Sequence, residues 1–428
     1  MNAGSPARPR TNWAGNVAFG APDFYRPARL AELQAIVARA ARLRVLGTGH
    51  SFSDMADSPG AQVSLAGLPP EAELDSAAKV VRVSAGQRYH ELAERLDEKG
   101  FALRNLASLP HISVAGACAT ATHGSGVANQ NLAAAITGLD LITADGDLVT
   151  VRSQDDWFDG AVVHLGALGV VVSLLLEVVP SFAVSQLVYE GLPLDVLDDH
   201  FTDVMAGGYS VSLFTDWRAP RLTQIWIKQR VDDPAHAIVP SISQAPWFTA
   251  TPAHAARHPV PGLPPDACTQ QLGVPGPWYA RLPHFRPEST PSAGDELQSE
   301  YLLPVEDAVP ALHALNRIRD RLAPVLRICE VRAVAADQLW LSPSYRRDTV
   351  AFHFTWILDT AAVLPVVPLV EQRLAPFAAR PHWGKIFTTA RETLRSSYDR
   401  LPDFLDLTRR CDPAGKFRNA YADRCLGP

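Results

Sequence analysis

Between residues 185 and 358 one order of elements occurs twice, and it limits the folds open to the chain. Residues 185–189 alternate as a strand, 195–205 repeat at helical spacing, and 209–214 and 222–228 are strands again. After a Pro-rich stretch come a strand over 300–303, a helix over 305–322, and strands over 325–334 and 349–358. Two strand-helix-strand-strand units are expected to build an antiparallel sheet with helices on one face, an α+β lobe. No repeat of sequence accompanies the repeated order, so nothing in the sequence supports duplication. The segment 232–294 between the units is rich in Pro, Ala and His. It reads as an irregular surface segment or as a lid.

Two of these strands carry charge where core residues are expected. Glu330 and Arg332 are two apart and share a face, while Cys329 and Val331 take the other. His353 and Thr355 likewise share a face, opposite Phe352, Phe354 and Trp356. Any one of them alone is a solvated position on a half-exposed sheet. Together, a carboxylate, a guanidinium, an imidazole and a hydroxyl suit a neutral polyhydroxyl ligand, which needs both acceptors and donors. Further on, Arg380-Pro-His-Trp-Gly-Lys385 puts His382 and Lys385 in a loop. A helix end with a snorkelling lysine is the plain alternative there.

Residues 10–180 alternate helices and strands. Leu30, Leu33, Ile36, Val37 and Ala40 repeat at helical spacing over 27–43, and Val45 and Leu46 follow as a short strand. Strands are expected at 80–84 and 169–179. A helix is expected at 89–99, with Leu92 and Leu96 inward and Gly100 as its stop. An Asp-Gly turn joins 139–143 to 148–151 as a hairpin. The short strand runs into Arg44-Val-Leu-Gly-Thr-Gly-His50-Ser-Phe-Ser53. Gly47 and Gly49 let the backbone turn and approach a ligand, and successive N–H groups there can form an anion site. The third glycine of the dinucleotide fingerprint is missing, because Phe52 stands in its place. Alone, this is a tight turn, and His50 alone is a structural histidine. A second stretch, 108–126, is dominated by Gly, Ala, Ser and Thr, which lets a backbone lie against a large flat ligand. Close helix packing explains 117–121 but not the donor-rich His123-Gly-Ser-Gly126. No Gly-x-Ser-x-Gly elbow is present, which sets a serine hydrolase aside.

The chain has 428 residues, 47% hydrophobic and 20% charged, as expected of a globular protein with two or more lobes. Its net charge of −6 argues against nucleic-acid binding. Residues 1–10 lack the apolar stretch of a signal peptide, and the apolar run 165–176 is too short to span a bilayer. The five cysteines are an odd number without a C-x-x-C spacing. They suggest no zinc or other metal site and no disulfide framework, hence a reducing cytoplasm.

In this order, the segments Leu46-Gly-Thr-Gly-His-Ser-Phe-Ser53, 108–126, Glu330-Val-Arg332, Pro381-His-Trp-Gly-Lys385 and Asp412-Pro-Ala-Gly-Lys-Phe417 resemble the vanillyl-alcohol-oxidase superfamily of FAD enzymes. Within it they resemble the alditol oxidases, close to the sugar-lactone oxidases, over nearly the whole chain. The resemblance implies a two-lobed α+β fold. An FAD-binding domain would occupy 1–182 and a substrate-binding cap with an antiparallel sheet 183–388, with 389–428 returning to the FAD domain. It implies that Val45, Leu46, Gly47, Thr48, Gly49, His50 and Ser51 surround the FAD diphosphate, with His50 bonded to the flavin 8α carbon. Ser108, Ser113, Gly116, Thr120, His123, Gly124 and Ser125 would line the cofactor, and His382 would approach it from the cap.

Ser108, Glu330, Arg332, Thr355 and Lys385 match the family's substrate positions. Catalysis would fall to Lys385, Arg332, Glu330 and His353, with Lys385 or His353 as the base that an alcohol requires. The implied reaction oxidises the C1 alcohol of a polyol such as xylitol or sorbitol to the aldose. Hydride goes to flavin N5, and O2 becomes hydrogen peroxide. A monomer without nucleic-acid or membrane partners is expected. The alternatives are an aldonolactone oxidase, a dehydrogenase using another electron acceptor, and a flavin-binding scaffold without turnover.

Overall fold

A computed structural model describes residues 10–232, 247–289 and 295–427. Alternation on the strands Leu326–Val334 and Thr349–Ile357 sets Cys329, Val331, Phe352, Phe354 and Trp356 on one face of a nine-stranded antiparallel sheet. All five are fully buried. The helices Leu197–Met205, Ala308–Asn316 and Val367–Leu374 cover that face with Phe201, Val204, Leu312, Leu315, Val370 and Leu374. Burying each such leucine or phenylalanine stabilises the packing by about 1.5–3 kcal/mol. The helices therefore occupy the apolar face and leave the polar one for the opposite lobe.

The sheet runs Thr251–Pro252, Ala183–Glu190, Gln224–Arg230, Ser210–Thr215, Leu326–Val334, Thr349–Ile357, Glu296–Pro304, Arg380–Pro381. The two strand-helix-strand-strand units meet at its centre, where Ser210–Thr215 pairs with Leu326–Val334. Of the Pro-rich segment, residues 233–246 and 290–294 lie outside the described residues. Its remainder adds the two-residue strands Thr251–Pro252 and Gly276–Pro277 to Ala183–Glu190.

The other lobe holds a five-stranded antiparallel sheet in the order Ala72–Asp75, Val80–Ser84, Val170–Glu177, Ile136–Ile142, Leu148–Arg152. Beside it lies a parallel sheet in the order Asp23–Tyr25, Ala61–Val63, Leu43–Val45. Helices Leu30–Arg39 and Tyr89–Asp97 bury Leu33, Ile36, Val37, Leu92 and Leu96 in its core. The chain's end joins the same core through Tyr398, Leu401, Phe404, Phe417 and Tyr421. Lys416 fixes that return. Its ammonium donates to the carbonyls of Val37 (2.6 Å), Ala38 (3.2 Å) and Ala144 (2.5 Å), three acceptors for three N–H bonds.

Three expected elements differ. The helix expected over 305–322 breaks into a 3-10 turn, Ala308–Asn316 and Arg319–Leu322, with Ile318 turned into the core at the break. The helix at 27–43 stops at Arg39 because Ala40 turns extended ahead of Leu43–Val45, and Leu30 stays exposed. The strand at 169–179 ends at Glu177. Val179–Pro180 pairs instead with Phe101–Ala102, a short ladder that tolerates a proline without an N–H.

Candidate active site

The loop after Leu43–Val45 is tied at both ends. The Leu46 N–H donates to Val63 O and the Phe52 N–H to Gly384 O, both at 2.8 Å. Between them the N–H groups of residues 47–51 meet no acceptor among the described residues. Gly49 takes φ +72°, a left-handed turn that glycine enters freely. The buried Arg44 guanidinium braces the loop's base by donating to the carbonyls of Met55, Leu165, Gly166 and Phe417. Opposite stands Ser113, just before the short helix Val114–Cys118. A Cβ at Gly47 would lie 2.6 Å from the Ser113 hydroxyl, and one at Gly116 2.7 Å from it. These glycines let the two segments close on each other.

A cavity of about 340 Å³ runs between this loop, the small-residue stretch and the polar face of the large sheet. These walls fit FAD. A row of unpaired backbone donors suits a diphosphate, and the Ala- and Gly-lined wall suits a flat ring system. His50 lies beside Trp13 (ring centroids 5.0 Å apart) and His111 (4.8 Å). Burial, and then His111, Lys385 and Arg88, push its pKa down to about 3, so the imidazole is neutral.

On the sheet, register aligns Glu300 with His353 and His353 with Glu330 in one cross-strand row. Gln298 and Thr355 form the next row, and Arg332 lies two residues on from Glu330. Glu300, Glu330, Arg332, His353 and Thr355 are all buried, so this is no solvated face. The Arg332 guanidinium sits between two carboxylates, with Nη2 2.5 Å from Glu300 and Nε 3.8 Å from Glu330. Glu300 also lies 3.2 Å from His123 Nε2 of the other lobe and 3.4 Å from His353 Nδ1.

Burial favours the neutral form of both carboxylates, yet Arg332 and the facing imidazoles outweigh it and hold both well below the usual range. Burial lowers the pKa of His353 and brings that of His382 to about 3. It brings Lys385 down to about 8, with Glu300 opposing the shift and Arg332 adding to it. The Lys385 ammonium donates to the Gln298 side-chain carbonyl and sits 5.2 Å from the Phe52 ring centroid.

The cavity gathers Val45, Leu46, Gly47, Thr48, Gly49, His50, Ser51, Ser108, Ser113, Gly116, Thr120, His123, Glu330, Arg332, His353, Thr355, His382 and Lys385. Gly124 and Ser125 are not among its walls. Gly124 packs so tightly on Asn105 and Leu106 that a Cβ would come within 2.4 Å of their oxygens. The Ser125 hydroxyl is taken up by the Val211 carbonyl. Four polar residues of the cavity's cap-side wall were not anticipated: Glu296, Gln298, Glu300 and His284. The first three had a signal, since Glu296, Gln298 and Glu300 alternate with Leu297 and Tyr301 on one strand. His284 sits in the irregular segment, where no periodicity marks a face.

Residues 23–152 match the FAD binding domain family, and residues 295–425 match the D-arabinono-1,4-lactone oxidase family. The chain is 54% identical over 414 residues to an alditol oxidase of a Streptomyces species, covering 96% of this chain and 97% of that one. The chain belongs to the alditol oxidase family. Lactone-directed relatives are more distant. An L-gulono-1,4-lactone dehydrogenase of Mycobacterium tuberculosis is 29% identical over 98% of this chain and 99% of that one. The fold is shared with the crystal structure of cholesterol oxidase from B. sterolicum, at TM-score 0.78 and 13% identity, covering 100% of this chain and 99% of that one.

Proposed function

We propose that this protein is an FAD-dependent oxidase that converts the C1 alcohol of alditols such as xylitol or sorbitol to the aldose, with O2 reduced to hydrogen peroxide. The observation that carries this is the buried row of Glu330, Arg332 and Thr355, with the half-buried Lys385 beside it, facing the glycine loop across one cavity, in a chain 54% identical to an alditol oxidase. We assign 1–182 to the FAD-binding domain, 183–388 to the cap and 389–428 to the returning segment.

When bound, FAD supplies hydride acceptance at N5 and transfer of the electrons to O2. The N–H row of residues 47–51 would hold the diphosphate. Ser113, Gly116, Thr120 and His123 would line the cofactor, with His382 on its cap side. His50, neutral and flanked by Gly49, is the residue we assign to the covalent bond with the flavin. Glu330 accepts from substrate hydroxyls, Arg332 donates to them, and Ser108 and Thr355 do either. Lys385 is the base. Its pKa of about 8 leaves a neutral fraction at physiological pH, able to take the hydroxyl proton as C1 is oxidised. Neutral His353 orients beside Glu300, and Arg332 stabilises the developing charge on the substrate oxygen. All these residues come from one chain, so a monomer suffices. The five free thiols fit a reducing cytoplasm. Among the described residues no helix is long and apolar enough to cross a membrane.

The test is the visible spectrum of the purified protein under anaerobic conditions, with xylitol added and then air. Bleaching of the flavin bands followed by recovery in air is expected. Bleaching without recovery would mean a dehydrogenase. No bleaching with xylitol but bleaching with an aldonolactone would replace the polyol with the lactone.

A further inference from the structure

His284 reaches the substrate face from the Pro-rich segment, outside the strands that build the rest of that face. It is 4% exposed, and its Nε2 lies 2.7 Å from Glu330 Oε1. Its Nδ1 lies 3.1 Å from the Nζ of Lys228, a fully buried lysine on the strand Gln224–Arg230. The Lys228 ammonium also donates to the carbonyls of Leu282 and Pro283. Its three N–H bonds thus have three acceptors, one of which is the imidazole.

This arrangement fixes the tautomer. A lysine ammonium only donates, so Nδ1 accepts, and the ring proton sits on Nε2, directed at Glu330. The other tautomer would set an N–H against an ammonium and a lone pair against a carboxylate. The ring cannot turn away, being packed edge-on to Phe214 (centroids 5.7 Å apart) and Trp226 (5.1 Å). Burial and Lys228 bring the His284 pKa down to about 4 against the pull of Glu330, which keeps the imidazole neutral. The row therefore reads cation, neutral dipole, carboxylate. Lys228 and Glu330 both favour one orientation of the dipole, while the Ser212 hydroxyl, 3.5 Å from Nε2, can donate or accept.

We propose that His284, locked in its Nε2–H form by Lys228, is a positioning residue for polyol oxidation that ties down one oxygen of Glu330 and leaves the other to accept a substrate hydroxyl. The free oxygen is Oε2, which stands 3.8 Å from Arg332 Nε. The proposal rests on Glu330 binding substrate. It makes the Pro-rich segment part of the specificity apparatus, because the same stretch brings Phe285 to the cavity wall.

The experiment is anaerobic reduction of the holoenzyme by xylitol in a stopped-flow instrument, which separates the limiting rate from the half-saturation concentration. Work at about pH 6 keeps Lys228 protonated, since burial brings its pKa to about 7. His284→Leu is expected to raise the half-saturation concentration roughly tenfold, the scale of one charge-assisted hydrogen bond, with FAD content and limiting rate little changed. His284→Gln, whose amide can still donate to Glu330, restores most of the affinity. Lys228→Met gives the same direction of change, and the double variant is no worse than His284→Leu alone, because the pair acts as one relay. Long-range 1H–15N correlation spectra report the tautomer independently of turnover, and the Nε2–H form is expected.

An unchanged half-saturation concentration in His284→Leu, with a raised one in Glu330→Gln, overturns the proposal and leaves the role of Glu330 standing. An unchanged value in Glu330→Gln removes that role and the proposal with it. Should His284→Leu fail to fold, Lys228→Met and the tautomer decide. An Nδ1–H form in the native enzyme overturns the proposal.

Discussion

Glu300→Gln tests the electrostatic arrangement of the site more sharply than any change to a group that touches substrate. Glu300 is 2% exposed and faces Arg332, His123 and His353 at once. Removing its charge leaves Arg332 with Glu330 alone, at 3.8 Å. Breaking a buried ion pair from one side costs about 3–5 kcal/mol, because the remaining charge stays desolvated without its partner. Glutamine keeps the shape and one neutral acceptor, which places the expected loss near the low end, about 3 kcal/mol at pH 7.

The pH dependence has a definite sign. The folded-state pKa of Glu300 lies well below its ordinary value of 4.5. Its contribution is therefore complete above that ordinary value and is lost as pH falls through the folded one. The gap between wild type and variant should be steady from about pH 5 to pH 6, narrow in stronger acid, and narrow again toward pH 8 as Lys385, whose pKa Glu300 holds up, loses its proton. Urea unfolding of the holoenzyme, followed by tryptophan fluorescence across that range, measures it. A loss below about 1 kcal/mol at pH 7, the scale of a solvated pair, would show that Arg332 does not depend on Glu300 and would refute the argument.

Further expectations concern single residues. Lys385→Ala should keep bound flavin and lose most of its reduction by xylitol, and unchanged reduction kinetics would remove Lys385 as the base. In the wild type the limiting rate of flavin reduction should rise with pH through about 8 as Lys385 loses its proton. Glu300→Gln should move that rise to lower pH, since Glu300 holds the Lys385 pKa up; a move to higher pH would contradict it. His50→Ala should leave a flavin that acid precipitation releases, where the wild type keeps it on the denatured chain. Gly124→Ala should destabilise by about 1–3 kcal/mol, since its methyl would meet the Leu106 carbonyl oxygen at 2.4 Å. A melting temperature equal to the wild type's would show that the loop yields at no cost.

Much of this was legible in the sequence because period and composition reflect burial directly. Alternation was enough to put Glu330 with Arg332, and His353 with Thr355, on one face of each strand; that the two strands pair, and so bring the four together, is read from the fold. Their burial followed once a second lobe had to cover that face. Glu300 escaped because the expected strand began at residue 300, which hid the alternation of Glu296, Gln298 and Glu300. His284 escaped for a different reason. An irregular segment has no period, and only the folded chain brings residue 284 beside residues 228 and 330. Gly124 and Ser125 are expected at the cofactor from the family resemblance, yet they lie off the cavity wall. The backbone turns there, and Ser125 spends its hydroxyl on the Val211 carbonyl.

The same placements explain why this face can recognise an uncharged ligand. The Arg332 guanidinium and, when protonated, the Lys385 ammonium offset the two carboxylates, and the buried imidazoles of His353, His382 and His284 are held neutral. What remains for a ligand is directional: oxygens that accept and N–H groups that donate at fixed spacing along a pleated strand. A polyol presents a hydroxyl on each carbon, each both donor and acceptor, and so can answer such a row without bringing a charge that must be desolvated. A carboxylate ligand would have to be stripped of water with Arg332 already committed to Glu300. Affinity for a neutral chain of hydroxyls thus follows from pairing the charges within the protein before the substrate arrives.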